Sequence, residues 1–423
     1  MNCVIISIGD ELLSGRTVDT NSAWLSSQLY RLGIEVTERL TLPDNEARIT
    51  EGIATAFQRA NLVILTGGLG PTDDDRTRRA IADYLGVELE TDPNILKTIR
   101  RKFSERNSEM PETAEREALV PTGAKPLNNS VGIAPGLYLK IGDDKHLVAL
   151  PGVPKELKAI FENELSRTLK GAAGNEGRNR VVESFFTTGI PESILAKKIY
   201  DNLGKTHPKN LAFYPSSLGV EVRLTINPKS ADDKHILSII EQTAEPWCYS
   251  QEENSLPKIV GELLLEKGAT LAIAESCTGG LLASRIVDIS GASDWFAGGV
   301  VSYSNRAKAE ILHVSTEALE KYGAVSPQVA AQMAEGAAEV FHADYALSTT
   351  GIAGPTGGTP EKPTGLVFYA LHTPNGNLIR KNRFTAGRED HRLRTSQATL
   401  AMLWLYMMGK YQKHHWADGS EGC

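Results

Sequence analysis

The sequence predicts an α/β protein in three segments: an N-terminal three-layer α/β/α domain over 1–170, a small central α+β module over 178–250, and a C-terminal α/β/α domain over 255–412. Three observations carry this reading. Short apolar runs alternate with helical patterns in the first segment and again in the last, as in parallel sheets with helices on both faces. The order between them is strand, helix, strand, strand, helix, which suits a small mixed module. Gly171-Ala172-Ala173-Gly174-Asn175-Glu176-Gly177 and Ser250-Gln251-Glu252-Glu253-Asn254 have the composition of linkers. A chain of 423 residues has room for about two to four domains.

The elements follow in order. Val4 to Ile8, Glu35 to Leu40 and Leu62 to Leu65 read as strands. Helices are expected from Asn21 to Leu32, with Thr20 or Asn21 as N-cap, and from Ala47 to Arg59. A Gly-rich loop and a further helix follow the third strand. Leu137 to Ile141 and His146 to Leu150 flank Gly142-Asp143-Asp144-Lys145, a hairpin turn. Pro154 opens a helix that ends near Lys170. The central module has strands Val181 to Thr187, Leu211 to Tyr214 and Val220 to Ile226, with helices Glu192 to Leu203 and Asp233 to Glu245. It shows no catalytic constellation, so its expected role is to position its neighbours. In the last segment Ile259 to Lys267, Leu281 to Ile289 and Glu389 to Gly409 read as helices. Thr270 to Ala274, Phe296 to Tyr303, Tyr345 to Thr349 and Leu366 to Leu371 read as strands. Ser326-Pro327 starts another helix, with Val329, Met333, Ala337 and Val340 on one face. Residues past Tyr411 read as a frayed tail.

Composition narrows the function. Hydrophobic content of 41%, charged content of 23% and a net charge of −7 describe an ordinary, mildly acidic protein. No stripe of Lys or Arg favours nucleic acid. Cys3, Cys248, Cys277 and Cys423 form no C-x-x-C pair, so neither zinc nor a disulfide framework is indicated. No signal peptide is expected, and no apolar run approaches the roughly 18 residues of a membrane span, so the expected location is cytoplasmic.

Three polar loops follow strand ends in the last segment, where open parallel sheets hold their ligands. They are Ala274-Glu275-Ser276-Cys277-Thr278-Gly279-Gly280, Ser302-Tyr303-Ser304-Asn305-Arg306-Ala307-Lys308, and the Gly-rich stretch from Ser348 to Gly358. Gly279 and Gly280 allow backbone N–H groups to approach an anion or oxyanion closely. A Ser nucleophile needs a base, and these loops hold no His. Lys308 serves if burial lowers its pKa, so a Ser276–Lys308 dyad is the most economical chemistry. Tyr303 could relay a proton or hydrogen-bond substrate. Other readings stay open, among them Lys308 as a solvated residue of the following helix and Gly351 to Gly358 as a flexible loop with no ligand. Cys277 is a rival nucleophile beside Glu275, and Ser276 is equally readable as a helix N-cap.

In the first segment, Leu62 to Leu65 runs into Thr66-Gly67-Gly68-Leu69-Gly70-Pro71-Thr72-Asp73-Asp74-Asp75. Gly67, Gly68 and Gly70 suit a phosphate cradle. Asp73, Asp74 and Asp75 would repel a phosphate unless a divalent metal (Mg, Mn or Co) lay between them. The loop Gly9-Asp10-Glu11-Leu12-Leu13-Ser14-Gly15 adds Asp10 and Glu11 as metal ligands, and Ser14 and Gly15 as phosphate contacts. The rival reading is that the three Asp only complement the positive end of a helix.

Ala274 to Gly280, Ser302 to Lys308, Thr349 to Gly358 and Lys362-Pro363-Thr364-Gly365 together resemble the C-terminal domain of the competence/damage-inducible protein CinA family. That domain is similar to stand-alone nicotinamide-nucleotide amidases. The resemblance implies hydrolysis of nicotinamide mononucleotide (NMN) to nicotinic acid mononucleotide and ammonia, without a cofactor. It implies Ser276 as nucleophile and Lys308 as its activating partner, with Tyr303 and Thr350 assisting. Glu275, Thr278, Gly279, Gly280, Asn305, Gly351 and Gly354 would surround the substrate. Arg388 or Arg392 would hold its phosphate, since Ala386-Gly387-Arg388 stands where the family commonly reads Gly-Asp-Arg.

Thr66 to Asp75 and Gly9 to Gly15 resemble the molybdopterin-binding (MoaB/MogA-like) fold. The CinA family carries the same motifs here, with Asn128-Asn129-Ser130, Ala134-Pro135-Gly136 and Pro151-Gly152-Val153-Pro154. The resemblance implies a metal-dependent ADP-ribose pyrophosphatase, so that both substrates are breakdown products of NAD. The alternatives are a pterin-binding N-terminal domain beside the same amidase, and a non-catalytic nucleotide-binding competence regulator. Family members are usually oligomeric, which implies a homodimer.

Overall fold

The computed structural model describes residues 1–172, 181–206, 208–252 and 254–411. Most of the first expected linker and the tail past Tyr411 lie outside the described residues. The chain divides into two compact units. The first comprises the described residues of Met1–Val181 with Asn227–Lys229. The second comprises Val182–Ile226 and the described residues from Ser230 onward. The central module therefore belongs with the C-terminal segment.

The strands of the first unit are β1 (Asn2–Ile8), β2 (Glu35–Leu42), β3 (Leu62–Thr66), β4 (Leu89–Thr91), β5 (Leu119–Pro121), β6 (Lys125–Leu127), β7 (Gly136–Ile141) and β8 (Lys145–Leu150). Six of them form one sheet in the order β2-β1-β3-β8-β7-β6. The pairs from β2 to β8 are parallel, and β7 and β6 add an antiparallel edge through the expected hairpin. β3 is buried at all positions, as a continuous apolar run requires when helices cover both faces. The Thr20–Arg31 helix starts one residue earlier than expected. Its cap is Asp19, whose carboxylate accepts the Ser22 N–H at 2.9 Å.

The second unit contains two sheets. β9 (Val181–Thr187), β10 (Leu211–Ser216), β11 (Gly219–Ile226) and β12 (Cys248–Ser250) lie in the order β10-β11-β9-β12, backed by helices Glu192–Leu203 and Ala231–Ala244. β13 (Leu271–Glu275), β14 (Phe296–Val301), β15 (Tyr345–Gly351), β16 (Leu366–Thr373) and β17 (Gly376–Arg383) lie in the order β14-β13-β15-β16-β17. The first three are parallel and the last two antiparallel. Helices Leu256–Lys267, Leu281–Val287, Pro327–Phe341 and Arg388–Met407 cover this sheet. Ser326 caps Pro327–Phe341 as expected, its Oγ accepting the Val329 N–H at 3.3 Å. Val340 departs from the expected buried face and is exposed near the helix end.

Candidate functional site

β13 is buried along its length and delivers residues 276–280 to the sheet's C-terminal end. The neighbouring loops are tied there by backbone bonds. Ser276 N–H donates to Thr349 O at 2.9 Å, and Ser302 N–H donates to Glu275 O at 2.8 Å.

Lys308 determines what this site can do. The helix Asn305–Leu312 is capped by Ser304, whose Oγ accepts the Ala307 N–H at 3.1 Å. That start turns Lys308 inward, where it is 1% exposed. Its Nζ donates to Ser276 Oγ at 2.9 Å and to Ser302 O at 2.7 Å. Neither acceptor is charged, and burial lowers the Lys308 pKa to about 8. An amine held this way can be neutral in a useful pH range and accept the Ser276 proton. The same burial acts oppositely on Cys277, pushing its thiol up to about 12. Burial thus disfavours the thiolate and weighs against Cys277 as the nucleophile.

Glu275 is corrected from substrate contact to structural cap. Its carboxylate is 1% exposed. It accepts the N–H groups of Gly280 at 2.9 Å, Leu282 at 3.1 Å and Ala283 at 2.8 Å. These are orphan donors at the start of Leu281–Val287, where a negative charge is favourable. Ser276 is therefore not that helix's cap. The expected oxyanion donors change too, because Gly280 N–H is taken by Glu275 and Gly279 N–H donates to Ser276 O at 3.2 Å. Among the described residues the Thr278 N–H has no acceptor, and the Cys277 N–H meets only its own thiol. Glu275→Ala should strand three donors and lower stability by about 2–4 kcal/mol, read as an earlier urea midpoint. An unchanged midpoint would show that water replaces the carboxylate without cost.

The remaining expected contacts divide. Thr278 Oγ1 and Thr349 Oγ1 lie 2.7 Å apart in a buried pair. Thr350 Oγ1 instead donates to Ala324 O at 2.7 Å, on the other side of β15. Thr349, not Thr350, is the hydroxyl that meets the Ser276 loop. Gly351 is a place of close backbone approach, since a Cβ there would lie 2.7 Å from Leu366 O. Asn305 is exposed at the first turn of its helix. Arg388 donates to Gly354 O at 3.1 Å and to the Tyr303 hydroxyl at 3.2 Å. Tyr303 is 63% exposed, so that pair lies at an open rim. Arg392 Nε donates to Thr278 O at 2.9 Å. Both arginines thus face the loops around Ser276.

In the first unit, a cleft of about 530 Å³ lies beside the Gly67–Gly70 loop. Gly67 and Gly68 have φ of +105° and +65°. A Cβ on either would come within 2.3 Å of Ile8 O or Thr77 Oγ1, so only glycine fits. Two of the expected cradle donors are already used. Gly67 N–H donates to Leu150 O at 3.0 Å, and Gly70 N–H donates to Asp75 Oδ1 at 2.7 Å. Gly68 and Leu69 keep N–H groups without acceptors among the described residues.

The five expected metal ligands do not converge. Asp75 turns back onto its own loop and also accepts from Thr72 N–H at 2.8 Å and Thr72 Oγ1 at 2.6 Å. Asp73 pairs with Arg116 away from the cleft. Asp10 lies outside the cleft walls, and its N–H donates to Asp44 Oδ2 at 2.9 Å. Ser14 and Gly15 are not among the walls either; Ser14 Oγ donates to Glu11 O at 3.2 Å. Glu11, Asp74 and Asp75 do line the cleft, joined by Asp44, Glu117 and Glu156, which sequence reasoning missed. Burial raises the Asp44 pKa, and the nearby charges of Asp10, Glu11 and Asp74 add to the rise. Among the described residues, no group of three or more His, Cys, Asp and Glu is placed to hold a metal ion.

Three family descriptions match consecutive parts of the chain: a probable molybdopterin binding domain over 4–171, a damage-inducible protein CinA KH domain over 183–245, and a CinA C-terminal domain over 253–407. A CinA-like protein from Salinibacter ruber is 40% identical over 396 residues, covering 92% of this chain and 95% of the relative. A putative competence-damage inducible protein from Halothermothrix orenii is 39% identical, covering 95% of this chain and 98% of the relative. The chain belongs to the CinA family. Among solved structures, the competence/damage inducible protein CihA from Agrobacterium tumefaciens is 42% identical, covering 36% of this chain and 93% of its own, with a TM-score of 0.35. The molybdopterin biosynthesis enzyme MoaB from Thermus thermophilus is 20% identical over 41% of this chain and 96% of its own, with a TM-score of 0.28.

Within the CinA C-terminal domain, sequence reasoning named the loops that hold Ser302 and Thr349 but did not single out either residue. Ser302 serves through its carbonyl, which any residue type supplies, so no side-chain signal exists. Thr349 could have been separated from Thr350 by strand alternation, had the register with β13 been known. No helix among the described residues is long and apolar enough to cross a membrane.

Proposed function

We propose that the CinA C-terminal domain hydrolyses NMN to nicotinic acid mononucleotide and ammonia. The observation that carries this reading is the buried Lys308 amine at 2.9 Å from Ser276 Oγ. Ser276 Oγ attacks the carboxamide carbon while Lys308 Nζ takes the hydroxyl proton. The N–H groups of Cys277 and Thr278 are the donors of this loop left to serve the oxyanion. Collapse breaks the C–N bond, and Lys308 passes the proton to the departing nitrogen. Water then attacks the acyl ester, giving the carboxylic acid and restoring Ser276. Arg388 and Arg392 supply planar cationic groups for the substrate phosphate. Purified protein incubated with NMN should release ammonia, with the acid product separated by chromatography. NMN recovered intact would end this reading.

For the N-terminal domain we propose hydrolysis of ADP-ribose with a divalent metal. Glu11, Asp44 and Asp74 line the cleft but are not placed to hold an ion by themselves, so the ion would have to arrive bound to the substrate diphosphate. When bound, it would neutralise charge on the diphosphate. The chain's own part is to hold a phosphate on the Gly68 and Leu69 N–H groups. AMP release from ADP-ribose should be chelator-sensitive and fall by about 10-fold or more in Asp74→Asn. Turnover that persists in chelator removes the metal. The match to a probable molybdopterin binding domain favours a second reading, a pterin-binding cleft. Pterin binding without AMP release would select it.

A further inference from the structure

The helix Arg388–Met407 is held by the central module along one face. Near its start, Ser217 at the β10–β11 turn donates its hydroxyl proton to Asp390 Oδ1. Asp390 Oδ2 also accepts from Arg394 Nε at 2.6 Å. One level further, Gln397 Nε2 donates to Thr188 Oγ1 at 3.3 Å, and both residues are buried. Near the end, Trp404 meets Tyr249 of β12 edge to face, with ring centres 6.5 Å apart. Just beyond the helix, Lys410 pairs with Glu245 at 2.6 Å.

The spacing of these contacts has a consequence. At about 100° per residue, Asp390, Gln397 and Trp404 fall within about 40° of one line along the helix. Arg388 and Arg392 then lie roughly opposite, about 160–200° away. One face is gripped by the central module while the other offers the two arginines to the Ser276 loops. The grip also reaches the nucleophile's side of the site. Gln397 Oε1 accepts from Arg285 Nη2 at 2.7 Å, and Ser396 Oγ accepts from Arg285 Nη1 at 2.6 Å. Arg285 sits on Leu281–Val287, the helix whose first N–H groups hold Glu275. Its half-buried guanidinium meets two neutral acceptors, so it is sensitive to where Gln397 stands.

We infer that Ser217 and Thr188 are positioning residues of the amidase site: they set the place of the Arg388–Met407 helix, and through it the arginines that receive the substrate phosphate. The inference rests on the amidase reading. A misplaced arginine weakens ground-state and transition-state binding alike, so the effect belongs in KM.

The test uses the full chain with NMN as substrate. Ser217→Ala, Thr188→Val and the double variant are compared with wild type, with Ser217→Thr as the conservative restoration. The double variant should raise KM by about 3- to 10-fold with kcat within about twofold, and Ser217→Thr should return KM to near the wild-type value. A role limited to stability would instead lower the unfolding midpoint and leave the KM of the folded enzyme unchanged. Wild-type turnover with unaltered KM in the double variant overturns the inference alone. Absence of wild-type turnover overturns the amidase reading, and this inference with it.

Discussion

Ser276→Ala is expected to reduce ammonia release from NMN by about 10³-fold or more. The loss should fall on kcat, because the substrate phosphate and ring keep their contacts. Cys277→Ala should stay within a few-fold of wild type. That contrast follows from burial. The Cys277 thiol is pushed up to about 12 and carries no nucleophilic thiolate, whereas Ser276 has a buried amine within hydrogen-bond reach. Fold loss should not account for the effect, since apart from the bond its Oγ accepts from Lys308, Ser276 is held through its backbone. Its N–H donates to Thr349 O, and its carbonyl accepts from Gly279. The reverse result, activity lost in Cys277→Ala and kept in Ser276→Ala, would transfer the nucleophile's role to the thiol.

Lys308→Met should be comparably inactive, and wild type should show why. With a Lys308 pKa lowered to about 8, kcat/KM should rise with pH and level off above that value. Below it the amine is protonated and cannot accept the serine proton, so the rate should fall about tenfold per pH unit. Lys308→Arg keeps a cation with no accessible neutral form and should stay inactive throughout. Stability should change in the same direction, over a higher pH window. The folded pKa lies below the ordinary value of 10.5, so the unfolded chain binds the proton more tightly. Wild type therefore loses stability as pH falls from about 10.5 towards 8, and Met at this position removes that loss. A Lys308→Met variant that is folded and still active would remove Lys308 as the base. A flat wild-type profile between about pH 6 and 9 would do the same.

Several elements were legible because their signals are local. Ser326-Pro327 marks its helix start by capping chemistry that needs only adjacent residues. β13 and β3 announce themselves as short apolar runs. β17 was missed although Asn375-Gly376 carries a hairpin signal, because the strand is polar and only half buried. Asp44 was missed because it stands alone at the end of β2, far in sequence from the two acidic loops whose cleft it shares. The three consecutive Asp illustrate the opposite error. Sequence adjacency suggested a shared ligand, but successive side chains point in different directions, and the loop uses Asp75 to hold itself together.

What the sequence by itself determined is the order of the domains and the three polar loops at strand ends, including Ser276 and Lys308. These depend on apolar periodicity and on glycine and cap residues, which act over a few positions. Only the tertiary structure decided which groups in those loops are free. Glu275, Gly280, Thr350 and Asp75 are chemically suited to a ligand, yet each is already satisfied by a partner brought in by the fold. The burial that the Lys308 reading required came only from packing, which sets its amine against two neutral oxygens. Hydrogen-bond availability and burial depend on every element around a residue, so they emerge only when the chain has closed on itself.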